Sequence, residues 1–167
     1  MVHNGFSEPD PVYSCPTRRS EYTYNPMNGP SNLSLRERRD AIVREHIAAE
    51  NAQDISRAIA TFHHPRYEVA PFGSVSDGAQ AVHDLLAGMF AGFPDFHVEV
   101  PRVHHADEAV VVEMVMTGTH QGSFAGLPPT GRPIEVPLVG IFDFDGDRLM
   151  CEKVYFDMAT LMRQLQA

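Results

Sequence analysis

The chain has 167 residues, of which 43% are hydrophobic and 21% are charged, and its formal net charge is −9. This size and composition predict one soluble globular domain, and the negative charge argues against a nucleic-acid-binding protein. The two cysteines, Cys15 and Cys151, provide neither a disulfide framework nor metal-ligand spacing, so a reducing, cytoplasmic location is expected. No signal peptide and no membrane-spanning segment are predicted.

The N-terminal segment differs in composition from the rest of the chain. Residues 1–33 contain five prolines among Asn, Ser and Gly, without hydrophobic periodicity. This pattern predicts an extended arm, with a disordered tail as the alternative. Because the segment also carries four aromatic residues, we expect the arm to pack on its own domain or on a partner subunit. The folded domain is expected to span residues 34–167.

Three helices are predicted in the first half of this domain. Ser34 and Glu37 form a capping-box pattern at the start of a helix that runs to residue 52. A second helix is predicted over residues 54–62 and a third over residues 79–91, both with apolar residues at helical spacing. In the first helix, His46 lies on the apolar stripe, which is unusual for a polar side chain.

The second half of the domain has the period-two pattern of strands. A last helix, over residues 158–166, follows the final strand, and Asp157 is placed to cap it. This order predicts an α+β fold with helices packed on one face of a curved, mostly antiparallel sheet. The strands are predicted over residues 67–72, 96–103, 109–116, 133–144 and 148–156.

A long connection joins two of these strands. Residues 117–132 read TGTHQGSFAGLPPTGR, which is rich in turn-forming glycine and proline. Connections of this length are usually functional loops or structural signatures. We expect His120 within it to bond the loop backbone and hold the hairpin, although its position also makes it a candidate for contact with a substrate.

Three segments together suggest a family. FAGFPDF (residues 90–96), TGTHQGSFAGLPPTGR and FDMATLMRQL (residues 156–165) resemble the SnoaL-like polyketide cyclases of the nuclear-transport-factor-2-like superfamily, and the resemblance covers residues 35–165. It implies a cone-shaped α+β barrel that encloses one apolar pocket, usually in dimers or higher homo-oligomers. It also implies aldol cyclisation, double-bond isomerisation, dehydration or epoxide hydrolysis, each with an acid or base in an apolar cavity and mostly without a cofactor.

The known catalytic residues of the family match poorly here. The strand Asp of the anthracycline cyclases matches Val154, and the His on their neighbouring strand matches Val139. The Asp base of the ketosteroid isomerase branch matches Ala70, and its Tyr donor matches His46. Because a valine or an alanine cannot transfer a proton, any chemistry requires other residues; the valines would only contact the substrate.

Two strand glutamates are the first candidates. Glu113 lies among valines and methionines, so a raised pKa and an acid/base role are predicted, unless it faces outward and pairs with an arginine. Glu152 shares a strand face with Val154 and Phe156, which would place all three in the same cavity; a solvent-facing Glu152 is the alternative.

Further candidates come from the first helix, the first strand and the last helix. Glu50, one turn after His46, would orient the imidazole and raise its pKa, whereas a structural core histidine is the alternative. Tyr67 could donate to a substrate oxygen or be a structural tyrosine. Asp157 is foremost a helix cap, and its alternative position is the pocket mouth. The adjacent pair His63 and His64 has diverging side chains, as have other neighbouring histidines, so no metal site is predicted.

The sequence therefore predicts a cofactor-independent cyclase, isomerase or lyase that acts on a small, apolar, carbonyl-containing metabolite, polyketide-like or terpenoid-like. A pocket carboxylate, Glu113 or Glu152, would remove the proton, and His46 or a tyrosine would stabilise the enolate. The alternative is a non-catalytic module that binds a ligand or a protein; a cavity filled by Met and Phe side chains would favour it. Epoxide hydrolysis ranks third, because no Asp, Arg, Asp arrangement is evident.

Overall fold

The computed structural model describes residues 33–166, so the predicted arm over residues 1–33 lies almost entirely outside the described residues. The described part contains four α-helices, one short 3-10 helix and six strands. In chain order they are α1 (Leu35–Asn51), α2 (Ile55–Ala60), β1 (Arg66–Val69), the 3-10 helix (Ala70–Phe72), β2 (Ser74–Asp77), α3 (Ala79–Gly92), β3 (His97–His105), β4 (Ala109–Thr119), β5 (Pro133–Asp145), β6 (Arg148–Phe156) and α4 (Met158–Gln166).

The six strands form one curved sheet in the order β2-β1-β6-β5-β4-β3. Neighbouring strands are antiparallel except for β1 and β6, which run parallel. The predicted α+β class and mostly antiparallel sheet are therefore confirmed. The sheet is open, since β2 and β3 are its two edges and are not paired with each other, so the barrel implied by the resemblance is only partly closed.

Buried and more exposed residues alternate strictly along β4 and β5, and this alternation defines the two faces of the sheet. Val112 and Met114 on β4, and Leu138 and Phe142 on β5, are buried on the inner face, which packs against the helices. The residues between them point to the opposite, outer face. The core therefore lies between this inner face and the helices.

Helix α1 is fixed at both ends, which sets the position of the residues along it. At its start, Ser34 and Glu37 form the predicted capping box. At its end, the Asn51 side chain accepts from the backbone N–H of Val98 at 2.7 Å and donates to the Val98 carbonyl at 2.9 Å. Among the described residues, each helix is too short or too polar to cross a bilayer.

The first predicted strand is shorter than expected, and an unpredicted strand follows it. β1 ends at Val69 because Ala70 and Pro71 begin the 3-10 helix, whose cap, Gly73, has a φ of 60°. This left-handed residue turns the chain back so that β2 pairs with β1 at the sheet edge. At four residues, β2 was too short and too polar to be recognised from the sequence.

The connection between β4 and β5 docks on the end of α3. The backbone N–H groups of Gln121 and Gly122 both donate to the Gly92 carbonyl, at 2.9 and 3.1 Å. A Cβ added to Gly122 would lie 2.0 Å from the Ala91 carbonyl oxygen, so only glycine permits this approach. At the start of the connection, the His120 backbone N–H donates to the Arg132 carbonyl, and the His120 carbonyl accepts from the Gly131 N–H.

Candidate active site

A largely apolar cavity of about 380 Å³ lies between α3, the β4–β5 connection and the inner face of the sheet. Its polar lining is divided between two places: Glu50, Tyr67 and Glu152 are buried, whereas Asp84 and Ser123 are exposed at the rim. The apolar lining is aromatic and methionine-rich and includes Phe72, Leu85, Met89, Phe93, Phe96, Met114, Met116, Phe124, Leu138, Val154 and Phe156.

His46 lies behind the buried end of this cavity. Its side chain is fully buried, and the rings of Phe62 and Phe142 meet it edge-on at 5.1 and 5.7 Å. Its Nδ1 is 2.8 Å from the hydroxyl oxygen of Thr61, the residue that ends α2. The position of His46 on α1 is thus defined by apolar packing on two sides and a polar contact on a third.

The other ring nitrogen of His46 contacts two carboxylates. Nε2 is 3.2 Å from Glu50 Oε1 and 2.9 Å from Glu152 Oε2. Glu50 meets the geometry of a hydrogen bond and also accepts from the Tyr67 hydroxyl at 2.9 Å. Glu152 Oε2 lies off the direction of a hydrogen bond with the imidazole, and no described residue forms a hydrogen bond with it. The contact of Glu152 with His46 is therefore an ion pair.

Burial and mutual charge shift the pKa values in this cluster. Burial alone lowers the pKa of His46, but the carboxylates of Glu50 and Glu152 more than offset it and raise that pKa to about 10. Burial, followed by the charge of Glu50, raises the pKa of Glu152, although His46 opposes the shift. Burial and the two carboxylates raise the pKa of Tyr67 well above its usual value, so it stays a donor. A buried carboxyl with a raised pKa beside an apolar cavity suits general acid–base chemistry.

The sheet provides space for the Glu152 carboxyl. Glu152 on β6 lies between Tyr67 on β1 and Phe142 on β5 in the strand register. Gly140 is close by: a Cβ there would lie 3.5 Å from Glu152 Oε1 and 2.5 Å from the Met114 methyl carbon. The absence of a side chain at Gly140 therefore keeps this part of the inner face open.

Glu113 lies on the outer face of the sheet, so its predicted pocket position and raised pKa are wrong. Its carboxylate is 2.7 Å from His104 Nε2 and 3.9 Å from the Arg102 guanidinium, and its side chain is 45% exposed. The hydrogen bond with His104 lowers its pKa. Strand alternation places Met114 in the cavity instead.

Asp157 is a helix cap and does not line the cavity. Its carboxylate accepts from the backbone N–H groups of Ala159 and Thr160, at 3.0 and 3.2 Å. The Thr160 hydroxyl also donates to it, which lowers the pKa of Asp157. These contacts explain its place at the start of α4, and the position at the pocket mouth that would allow catalysis is not observed.

Four of the six predicted substrate-contact residues line the cavity: Glu50, Tyr67, Val154 and Phe156. The other two do not. Val139 is the register partner of Glu113 and lies on the outer face. His120 is buried outside the cavity lining, stacked on Phe93, with its Nδ1 3.0 Å from the Thr130 hydroxyl.

Two features of the site are not evident from the sequence. Thr61 contacts His46 only because α2 folds back on α1, and no local pattern reports this contact. An aromatic rim is the second feature: Phe72 meets Phe124 and Phe156 edge-to-face, each with ring centroids 6.0 Å apart. Its three rings come from distant parts of the chain, although the phenylalanine in the turn-rich connection could have drawn attention to it.

The same cluster also offers ligand atoms to a metal ion. Single atoms of His46, Glu50 and Glu152 all lie within 4.8 Å of one another, and imidazole with two carboxylates is a donor set for divalent transition metals. An ion would require a bare Nε2 and would replace the proton shared between Nε2 and Glu50. His46 and Tyr67 already hydrogen-bond to Glu50, so an ion would have to displace the contact between His46 and Glu50.

Helices covering one face of a curved sheet, with a carboxylate–imidazole cluster at the buried end of an apolar cavity, define a pocket protein suited to acid–base chemistry. The sequence matches the SnoaL-like polyketide cyclase family over residues 40–165, and the chain belongs to this family. The predicted family is therefore confirmed. Comparison with curated protein sequences finds no match.

Solved structures of the same fold come from several bacteria. AclR, a hydroxylase candidate from Streptomyces galilaeus, is 28% identical, with a TM-score of 0.67, and the match covers 79% of this chain and 82% of AclR. A SnoaL-like polyketide cyclase candidate from Jannaschia sp. CCS1 is 22% identical, with a TM-score of 0.71 and coverage of 83% and 99%. IdmH, a polyketide cyclase candidate from Streptomyces antibioticus, is 22% identical, with a TM-score of 0.65 and coverage of 77% and 99%.

Proposed function

We propose that this protein is a cofactor-independent acid–base enzyme that acts on a small, apolar, carbonyl-containing metabolite, and that Glu152 transfers the proton. One observation carries the proposal: Glu152 is a buried carboxyl with a raised pKa, and it lines an apolar cavity while its other contact is the ion pair with His46. Membership of the SnoaL-like family supports a polyketide-cyclase type of chemistry.

In the proposed mechanism, the Glu152 carboxylate removes a proton from a carbon next to the substrate carbonyl. The electron pair of the broken C–H bond moves into the enolate. Tyr67 lines the cavity beside Glu152 in the strand register and donates to the enolate oxygen once its hydroxyl turns away from Glu50. The protonated Glu152 then gives up this proton, or a solvent deuteron that has replaced it. It goes to another carbon in an isomerisation, to the new alkoxide in an aldol cyclisation, or to the leaving hydroxide in a dehydration.

Three observations support this division of roles. His46 is fully buried and does not line the cavity, so it acts on the pKa of Glu152 and does not contact the substrate. Tyr67 remains protonated because its pKa is raised. The aromatic and methionine lining suits a flat, apolar substrate of polyketide or terpenoid type. That AclR is a hydroxylase candidate supports small-molecule chemistry in this pocket.

The experiment uses 2-tetralone, an apolar aryl ketone with acidic protons next to its carbonyl, as a probe for proton abstraction. Exchange of these protons in D₂O is followed by NMR with the wild type, Glu152→Gln and Glu113→Gln. We expect the wild type to accelerate exchange over buffer and Glu152→Gln to lose about 10²- to 10⁴-fold, which is the usual contribution of a general base.

Glu113→Gln is the matched control, because it makes the same substitution on the outer face of the same sheet. We expect it to exchange the probe at the wild-type rate. Equal exchange by Glu152→Gln and the wild type would disprove the assignment of Glu152. The wild type is also measured with EDTA: unchanged exchange supports proton chemistry, whereas loss of exchange would assign the cluster to a metal.

The alternative, a non-catalytic binding module, would use the same cavity. The open volume and the buried carboxyls favour the enzyme over a cavity filled by Met and Phe side chains. The same experiment separates the two functions, since broadened 2-tetralone signals without accelerated exchange would indicate binding alone.

We also propose that the protein forms a homodimer or a higher homo-oligomer in the cytoplasm. Val100, Val103 and Tyr155 are large apolar side chains that remain exposed on the strands. A monomer in light scattering at micromolar concentration would contradict this assembly.

A further inference from the structure

The Thr61 hydroxyl connects His46 to the end of α2. Its oxygen lies 2.8 Å from His46 Nδ1 and 2.7 Å from the backbone carbonyl oxygen of Ala58. A carbonyl oxygen can only accept, and a hydroxyl carries one hydrogen. The Thr61 hydrogen is therefore used on Ala58, and the Thr61 oxygen can only accept from His46.

This assignment determines where His46 carries its protons. Nδ1 must be the donor to Thr61, so it is protonated in both the neutral and the charged imidazole. Nε2 is then the only ring nitrogen that gains or loses a proton, and it is the nitrogen that contacts Glu50 and Glu152. Because of the Thr61 hydroxyl, His46 therefore gains and loses its proton on the nitrogen that faces the carboxylates.

The surroundings of His46 contain few other charged or titratable groups. Glu50 faces it from α1, Tyr67 from β1 and Glu152 from β6. Phe62 and Phe142 cover the ring edge-on. The charge of the imidazolium is therefore balanced only by these two carboxylates, and its Nδ1–H has the Thr61 oxygen as acceptor.

We propose that Thr61 is a positioning residue, which keeps His46 protonated on Nδ1 and so holds a positive charge beside Glu152, and that it sets the pH at which this charge is lost. This inference rests on the proposed function of Glu152. Without the acceptor, a buried N–H is left without a partner and the imidazolium becomes less stable. As the pH rises, the carboxylate of Glu152 then loses its nearest positive charge at a lower pH than in the wild type.

The first test is NMR of the protein labelled with ¹⁵N-histidine, with His46 assigned through its contacts to Phe62 and Phe142. In the wild type, we expect Nδ1 to be protonated throughout the pH range in which the protein is folded. In Thr61→Val, which keeps the shape but removes the acceptor, His46 is expected to lose its second proton at a lower pH. Thr61→Ser keeps the hydroxyl and is expected to resemble the wild type.

The second test is the pH dependence of 2-tetralone exchange. Because Glu152 must be ionised to remove a proton, exchange falls on the acidic side. On the alkaline side the rate is expected to change again, as His46 loses its charge beside Glu152. In Thr61→Val this alkaline limb is expected to move to lower pH by roughly one to two units, the effect of losing one hydrogen bond to a charged group. Thr61→Ser is expected to restore the wild-type limb; a purely structural role would lower the rate without moving the limb.

The outcomes separate this inference from the proposed function. A wild-type spectrum in which neutral His46 is protonated on Nε2 overturns the role of Thr61 without any variant, and so does a Thr61→Val profile with an unmoved alkaline limb. Neither result affects the Glu152→Gln test. Conversely, if Glu152→Gln retains exchange, Glu152 is not the base. The proton positions on His46 observed by NMR are unaffected by that result.

Discussion

The β4–β5 connection and the buried cluster around His46 differ in how they are encoded. The connection is one continuous stretch, residues 120–132, and its glycines and prolines make it the most conspicuous part of the sequence. The cluster consists of single side chains from α1, the end of α2, β1 and β6. The conspicuous stretch reflects constraints on the backbone, whereas the chemistry resides in residues that no local pattern joins.

The two regions also differ in how their polar groups are used. In the connection, the His120 backbone N–H donates to the Arg132 carbonyl, and the Gly131 N–H donates to the His120 carbonyl. These bonds hold the loop together. In the cluster, two carboxylates share one imidazole, and the carboxyl of Glu152 also lines the cavity. Reactivity is therefore expected in the cluster and stability in the connection.

The largest effect on stability is expected from Gly122→Ala in the connection. The new Cβ would lie 2.0 Å from the Ala91 carbonyl oxygen, and because this neighbour is backbone it cannot move away cheaply. We expect a loss of about 3 kcal/mol or more in the free energy of unfolding. Urea denaturation measures it, with Gly126→Ala as control.

Gly126 also lies in the connection, with a φ of 76°, but a Cβ there meets nothing within 4 Å. Its substitution therefore costs only backbone strain, about 1 kcal/mol. If Gly122→Ala were no less stable than Gly126→Ala, the close approach of the connection to α3 would not matter for stability, and the contrast between the two regions would be weakened.

The next effect concerns the pH dependence of stability. Because the pKa of His46 is about 10 when folded, against about 6.5 in an unfolded chain, the folded protein binds this proton more tightly. Its stabilising effect is complete below pH ~6.5 and is lost as the pH rises toward 10. In the wild type, the loss of this one proton should lower the free energy of unfolding by up to about 1.4 kcal/mol per pH unit. His46→Gln should remove this part of the pH dependence.

Thermal unfolding followed by circular dichroism between pH 6.5 and 9.5 measures this difference. The exposed variant His97→Gln is the matched control and should keep the wild-type dependence. If His46→Gln lost stability with pH as steeply as the wild type, His46 would not hold its proton through the carboxylates.

The smallest effect is expected from Gly140→Ala, which narrows the cavity beside Glu152. The added Cβ meets the flexible end of Met114, which can move, so the loss of stability should stay near 1 kcal/mol. The displaced Met114 enters the cavity that it lines, and 2-tetralone exchange should fall several-fold through weaker binding. Exchange rates at increasing probe concentration measure this change, and an unaltered concentration dependence would contradict it.

The sequence predicted much of the fold because its signals are local. The capping box of Ser34 and Glu37, the helical spacing in α3 and the alternation in β5 each determine an element without reference to the rest of the chain. β2 was missed because it forms only as the partner of β1.

The site was only partly predictable. Glu113 has apolar neighbours on both sides along β4, so its surroundings in sequence did not reveal which face it occupies. The pairing with β3, where Arg102 and His104 flank it, places it outside. His46 and Glu50 were recognisable because they are one helical turn apart, but their contact with Glu152 depends on how β6 enters the sheet.

The parallel pairing of β1 with β6 determines when the cluster forms during folding. Tyr67 and Glu152 are neighbours in this pair but lie far apart in the chain, and contacts of such separation form late because a long loop must first close. Until β6 enters the sheet, His46 lacks Glu152 and keeps more of its hydration. The pH dependence of the cluster should therefore appear in the unfolding rate more than in the folding rate, so that alkaline conditions shorten the lifetime of the folded protein.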